Sequence, residues 1–160
     1  MIGVTIICLG KLKEKYLRDA SDEYSKRLSA FCKLNIIELT PEKLSDNPSQ
    51  KEIDSALETE AKKITDKIPK GAYICSLCIE GKQISSEELS AEMENIGVSG
   101  KSNIVFIIGS SFGLSDTIKK MSNKKLSMSK MTFPHQLARI MLLEQVCRAV
   151  QISAGTKYHK

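Results

Sequence analysis

Tryptophan is absent, and tyrosine and phenylalanine contribute only four residues each to a chain of 160. So few rings exclude a platform on which successive bases of a single strand stack. Histidine occurs twice, at His135 and His159, and cysteine five times, with a single C-x-x-C. No zinc site has a ligand set, so metal chemistry is not expected. An odd cysteine count in a chain read as cytosolic excludes a disulfide framework. Cys75 and Cys78 lie in ICSLCIE, a strand pattern in which a spacing of three puts them on opposite faces, and they read as structural. No apolar run reaches the roughly 20 residues of a membrane span. MIGVTIICLGK has no basic residue ahead of its apolar run and no A-x-A-like cleavage site, so it reads as a buried strand rather than a signal peptide. A cytoplasmic protein is the expectation. The G-x-G-x-x-G and G-x-x-x-x-G-K-[ST] phosphate loops are both missing, as is an acidic residue placed to bind a ribose after the first strand. A nucleotide-dependent oxidoreductase is therefore disfavoured.

What remains is an ordinary globular composition, 41% apolar and 27% charged, with a net charge of +5. The charge is unevenly spread. Residues 1–100 carry 14 Lys/Arg against 17 Asp/Glu, and residues 101–160 carry 10 against only Asp116 and Glu144. A basic carboxy-terminal third points to a polyanionic partner, most simply nucleic acid, bound in a salt-sensitive way. Taken singly, Lys119, Lys120, Lys124 and Lys125 also fit a solvated helix face.

Strand and helix patterns alternate along the chain. Strands are expected at Ile2–Leu9, Leu34–Leu39, Ala72–Ile79, Ile104–Ile108 and Leu126–Met128. An amphipathic helix is expected over Lys11–Lys33. Ser49 with Glu52 forms a capping box for a helix running to about Ile68. Ser85 or Ser86 caps a short helix through Met93, Ser85 with Glu88 three residues on, and Gly97 and Gly100 end it. Shorter and longer helices follow from Ser115 to Met121 and Pro134 to Ile152. The turn EGK closes the third strand. No linker, repeat or low-complexity tract divides residues 1–160, so a single α/β domain with a mostly parallel sheet is expected.

Candidate chemistry concentrates where central strands end. IIGSSFGLS puts small residues after a buried strand. LSMSKMTFPHQL supplies main-chain groups and uncharged side chains able to line a pocket, with His135 in the first turn of the next helix. That helix, HQLARIMLLEQVCRAVQIS, is apolar on nearly every side, and a helix of this kind is buried all round. A single sheet covers one side only, so a homodimer is expected, with Arg139 and Arg148 emerging at its margins. The tail GTKYHK carries Tyr158 and His159, both able to exchange protons.

These segments together resemble the ribosomal RNA large subunit methyltransferase H family, small pseudouridine N3-methyltransferases of the SPOUT class. The likeness runs the full length: LGKLKEKY after the first strand, SLCIEGK, IIGSSFGLS, LSMSKMTFPHQLARIMLLEQVCRA and the terminal YHK. It implies a SPOUT fold with a deep carboxy-terminal trefoil knot, a homodimer, and S-adenosyl-L-methionine as cofactor, with S-adenosyl-L-homocysteine as product. Carried over by position, cofactor contacts fall on Leu77, Gly109, Met128, Ser129, Lys130, Met131, Thr132 and Phe133. The implied substrate is a pseudouridine of 23S rRNA in the assembled ribosome, methylated at N3. His159 and Tyr158 are the leading catalytic candidates, as proton acceptor and orienting group, with Arg148 and His135 behind them. One residue departs from the pattern. Ser110 stands where the family usually has a second glycine, a change worth about 1 kcal/mol or more if the position requires positive φ. A non-catalytic RNA- or ribosome-binding module with the same fold is the alternative, and Ser110 is the one feature favouring it.

Overall fold

The computed structural model describes residues 2–160. Its elements run β1 (Gly3–Leu9), α1 (Lys15–Leu28), β2 (Lys33–Leu39), α2 (Gln50–Lys67), β3 (Tyr73–Lys82), α3 (Ser86–Val98), β4 (Asn103–Ile108), α4 (Asp116–Met121), β5 (Lys124–Leu126) and α5 (His135–Ser153). The five strands form one sheet in the order β2-β1-β4-β3-β5, and every pairing is parallel.

Side-chain alternation splits the core in two. Val4, Ile6 and Cys8 of β1 and Phe106 of β4 face a layer made by α1, α3 and α5. Ile7, Leu9, Val105 and Ile107 face the other layer, where Ala61 and Ile64 of α2 meet Ile118 of α4. β1 and β4 are central and apolar on both faces because each face is covered. The strand carboxyl ends all open at one edge, and the connections there build the site.

Both expected capping boxes form. The Ser49 and Ser85 hydroxyls accept from the Glu52 and Glu88 backbone N–H, and each glutamate accepts from the capping residue's N–H in return. Several boundaries differ from the sequence expectation. Residues 11–14 precede the helix: Arg18 takes the Leu12 and Lys13 carbonyls, Gln136 takes the Lys13 N–H, and Glu14 is the N-cap of α1. Glu80-Gly81-Lys82 is strand, not turn: Lys82 pairs with Leu126 after a register shift beyond Leu77. Gly97 lies inside α3, which runs on to Val98 before Gly100 takes φ +95°. The fifth strand is Lys124–Leu126, held against β3 by Asn123, whose N–H donates to the Ile74 carbonyl while its side chain accepts from the Ile74 N–H. Pro134 is the N-cap of α5 rather than its first helical residue.

The largest correction concerns Arg139 on α5. Within a single chain that helix is covered on one side. Leu142, Leu143, Val146, Cys147 and Ala149 are buried, Leu137 is exposed, and Ile140, Met141 and Val150 are half-buried. Arg139 does not emerge at a margin. It is only 2% exposed, and its guanidinium donates to Glu38 at 2.6 Å and to the Gly10 carbonyl at 2.9 Å.

Candidate active site

A cavity of about 810 Å³ opens at the carboxyl ends of β3 and β4. Three chain segments and Lys119 of α4 wall it, the segments being Leu77–Glu80, Ile108–Leu114, and the stretch from Leu126 through the first turn of α5. Its shape depends on two glycines. A Cβ at Gly109 would lie 2.5 Å from the Gly113 carbonyl carbon, so only glycine lets the turn fold back on itself. Gly113 closes that turn with φ +86° and donates its N–H to the Ser110 carbonyl at 2.8 Å. A Cβ at Gly81 would lie 2.7 Å from the Lys125 carbonyl carbon, so the chain can pass this close to β3 only at a glycine.

Ser110 fits without strain. No non-glycine residue among those described has positive φ. Its hydroxyl donates to Glu60 at 3.2 Å, and Glu60 is a buried carboxylate on α2 that also accepts the Glu42 backbone N–H at 2.9 Å. The serine thus supplies a second partner to a carboxylate that would otherwise have one.

Seven of the eight residues matched to cofactor contacts line this cavity: Leu77, Gly109, Met128, Ser129, Met131, Thr132 and Phe133. Lys130 does not. Within the loop, the Ser127 hydroxyl donates to the Ser129 carbonyl and the Ser129 hydroxyl accepts from the Met131 N–H, which holds an irregular backbone in one shape. His135 also lines the cavity. Its pKa lies below the ordinary 6.5 because of burial and the nearby charges of Arg139 and Lys13, so the ring is neutral at pH 7. Cys78, Glu80 and Lys119 line the wall as well, and none of them is a sequence candidate. Lys119 and Glu80 pair at 2.5 Å, and each holds the other charged. Position at the end of a central strand is the available signal for Glu80.

Arg148, Tyr158 and His159 are brought together, but elsewhere. Glu144 accepts from Arg148 at 3.0 Å and from the Tyr158 hydroxyl at 2.9 Å, and the Arg148 guanidinium sits 4.9 Å from the centre of the Tyr158 ring. Burial, then the bond to Glu144, raise the Tyr158 pKa, so the phenol stays a donor. Arg148 can only donate to His159 Nδ1, at 3.1 Å, which leaves the His159 proton on Nε2, facing Glu87 at 2.6 Å. Both ring nitrogens are therefore engaged. None of the three lines the large cavity. Glu144 instead borders a second cavity of about 500 Å³, and the two cavities share Leu126, Ser127 and Met128 as a common wall.

Among the described residues no cluster of three or more His, Cys, Asp or Glu could hold a metal ion, and no helix is long and apolar enough to cross a membrane. A family model described as predicted SPOUT methyltransferase matches residues 2–159. The chain belongs to the SPOUT methyltransferase family, and it is a methyltransferase. It is 55% identical over 159 residues to a ribosomal RNA large subunit methyltransferase H of Clostridium botulinum, covering 99% of this chain and 100% of that one. A protein of the same name from Clostridium novyi is 53% identical over the same span. Among solved structures, a probable methylase family protein from Haemophilus influenzae aligns with TM-score 0.53 at 11% identity, over 99% of this chain and 70% of that one. That likeness bears on the fold alone.

Proposed function

We propose that this chain methylates N3 of a pseudouridine in 23S rRNA, on the assembled ribosome, with S-adenosyl-L-methionine as methyl donor. The observation carrying the reading is the cavity at the ends of β3 and β4, lined by seven of the eight matched cofactor residues. The names of relatives more than 50% identical over their full length support rRNA as the substrate.

The residues present fit such a cofactor. The volume lies within the range of small-ligand sites. The loop backbone offers N–H and carbonyl groups to a purine edge, and Gly109 lets the chain come close to a ligand. The cofactor supplies an electrophilic methyl group on a sulfonium sulfur, so activation by a metal is not required. The chain's own work is positioning and proton management. It must hold N3 in line with that methyl and accept, or electrostatically compensate, the imide proton. Neutral His135 stands at the cavity wall as a hydrogen-bond partner. Arg148 and Tyr158 are donors suited to the carbonyls or phosphate of the nucleotide. His159 becomes a proton acceptor when its bond to Arg148 breaks and frees the Nδ1 lone pair.

Arg148, Tyr158 and His159 gather around Glu144, which borders the second cavity beyond the Leu126–Met128 wall, and not around the cofactor set. A homodimer in which the tail of one subunit completes the cavity of the other unites the two groups. The exposed and half-buried apolar residues Leu137, Ile140 and Met141 on α5 supply an interface for it. Residues 1–160 act as one domain in this reading. The chain segment around β5 forms the trefoil knot in this reading, which rests on the family resemblance.

The test is methyl transfer from labelled S-adenosyl-L-methionine to ribosomes lacking the modification, followed by nucleoside mass spectrometry. N3-methylpseudouridine is the expected product. Cofactor binding without transfer to any ribosomal particle would favour the non-catalytic module instead.

A further inference from the structure

The segment LGKLKEKY has no part in the site described so far, yet its backbone is fixed from three directions. Gly10 donates its N–H to the Leu39 carbonyl at 2.7 Å, and its own carbonyl accepts from buried Arg139 at 2.9 Å. Arg18 donates to the carbonyls of Leu12 and Lys13, at 3.2 and 2.6 Å. The Lys13 N–H donates to Gln136 of α5 at 2.9 Å, and the Leu12 side chain is buried.

The remaining side chains of this rigid segment point outward. Lys11, Lys13, Glu14, Lys15 and Tyr16 are all exposed, Tyr16 at 70%. Lys15 pairs with Asp19, but Lys11 and Lys13 meet no carboxylate among the described residues. The backbone bonds and buried Leu12 account for the ordered chain, but no internal contact accounts for two unpaired lysines and an exposed tyrosine side by side on it. An outside partner accounts for it. The place of the segment says which one: Gln136, its contact on α5, is next to His135 at the cavity wall, and the Lys13 charge acts on that histidine.

We propose that Lys11–Tyr16 is an RNA-docking ridge beside the cavity mouth. Lys11 and Lys13 neutralise phosphates of the substrate strand, and Tyr16 stacks on an unpaired base near the target nucleotide. Phosphate contacts fix the register of a nucleic acid, and unpaired RNA bases are commonly held on aromatic rings. The proposal rests on the rRNA reading and adds to it the means of placing one nucleotide without a separate RNA-binding domain.

The test compares the full-length wild type with Lys11→Ala/Lys13→Ala, Lys11→Arg/Lys13→Arg and Tyr16→Ala, measuring binding to large ribosomal subunits across a salt series. The alanine pair is expected to bind about tenfold more weakly at 0.1 M salt, with the slope of log K against log salt shallower by about 1 to 2. The arginine pair should restore both. Tyr16→Ala should lose about fivefold or more with the salt slope kept. Calorimetric affinity for S-adenosyl-L-homocysteine and the melting temperature should not move. Unchanged affinity and slope would overturn the ridge. So would an equal loss in the arginine pair, or losses that track a fallen melting temperature. Weaker binding to the particle with undiminished binding to protein-free rRNA would assign the segment to a ribosomal protein, and would also overturn it. A wild type inert toward every ribosomal particle is a different outcome, and it sinks the parent reading.

Discussion

Ser110 donates its hydroxyl to the buried carboxylate of Glu60 at 3.2 Å, joining the turn that floors the cavity to helix α2. The other Glu60 oxygen holds the Glu42 backbone N–H. The departure from the family glycine is thus a local tie rather than a defect. Ser110→Ala leaves that oxygen without its partner, and an unsatisfied buried acceptor costs about 1–3 kcal/mol. The urea midpoint should fall accordingly. S-adenosyl-L-homocysteine affinity should fall too if the tie also sets the turn. A variant as stable as wild type would mean that the bond contributes nothing.

The two arginines of α5 should separate cleanly. Arg139 is buried while its partner Glu38 reaches solvent, and removing the guanidinium also leaves the Gly10 carbonyl without its donor, a loss of about 1–3 kcal/mol. Arg139→Ala should therefore be a stability variant, read in denaturant unfolding. Arg148 is partly exposed and pairs within one helix turn with Glu144, a contact worth at most about 1 kcal/mol. Arg148→Ala should fold normally and lose methyl transfer. Full turnover in Arg148→Ala would remove it from the mechanism.

This division is only half legible in the sequence. Apolar residues along α5 announce a core helix, but periodicity does not say which side the sheet covers. Periodicity alone puts Arg139 at a margin, whereas a carboxylate 101 residues away on β2 draws it inside. The capping boxes at Ser49 and Ser85 are legible because they are local, closed within three residues. The strand through Glu80-Gly81-Lys82 is not, because Lys82 pairs with Leu126 from a distant segment and the glycine imitates a turn. Glu60 is invisible for the same reason: its partners come from two other segments. The residues of the large cavity can be named from family motifs, but their separation from Tyr158 and His159 is a matter of tertiary placement.

His135 gives a pH signature with a definite sign. Its folded-state pKa is lowered from 6.5, by burial and then by Arg139 and Lys13. Below 6.5 the unfolded chain binds more protons at this residue than the folded one. Its contribution to stability is therefore complete above 6.5 and is lost as pH falls through the folded value. His135→Gln should lose less stability than wild type on acidification from pH 7 to about 5. Parallel urea-midpoint profiles for the two proteins would contradict the assignment.

Deleting Tyr158–Lys160 tests the division of labour between the two groups of residues. The tail bonds to Glu144, Arg148 and Glu87 and does not line the large cavity. The truncated protein should bind S-adenosyl-L-homocysteine with wild-type affinity by calorimetry while transferring no methyl group to ribosomes. Undiminished transfer would end the tail's catalytic role. Loss of cofactor binding would show that the tail supports the cavity itself.

The cysteines offer a direct probe of cavity occupancy. Burial pushes Cys75 up to about 12 and Cys8 and Cys32 up to about 11, so these thiols stay protonated and shielded near neutral pH. Cys78 is half-buried, raised less far, and lines the large cavity three residues beyond Cys75. Since the thiolate is the reactive form, alkylation at pH 8.5 should label Cys78 well ahead of those three. S-adenosyl-L-homocysteine in the cavity should slow that labelling in proportion to its occupancy. The concentration giving half protection should match the calorimetric dissociation constant. Peptide mass spectrometry reads the site directly, and labelling of Cys78 that ignores the ligand would place the cofactor elsewhere.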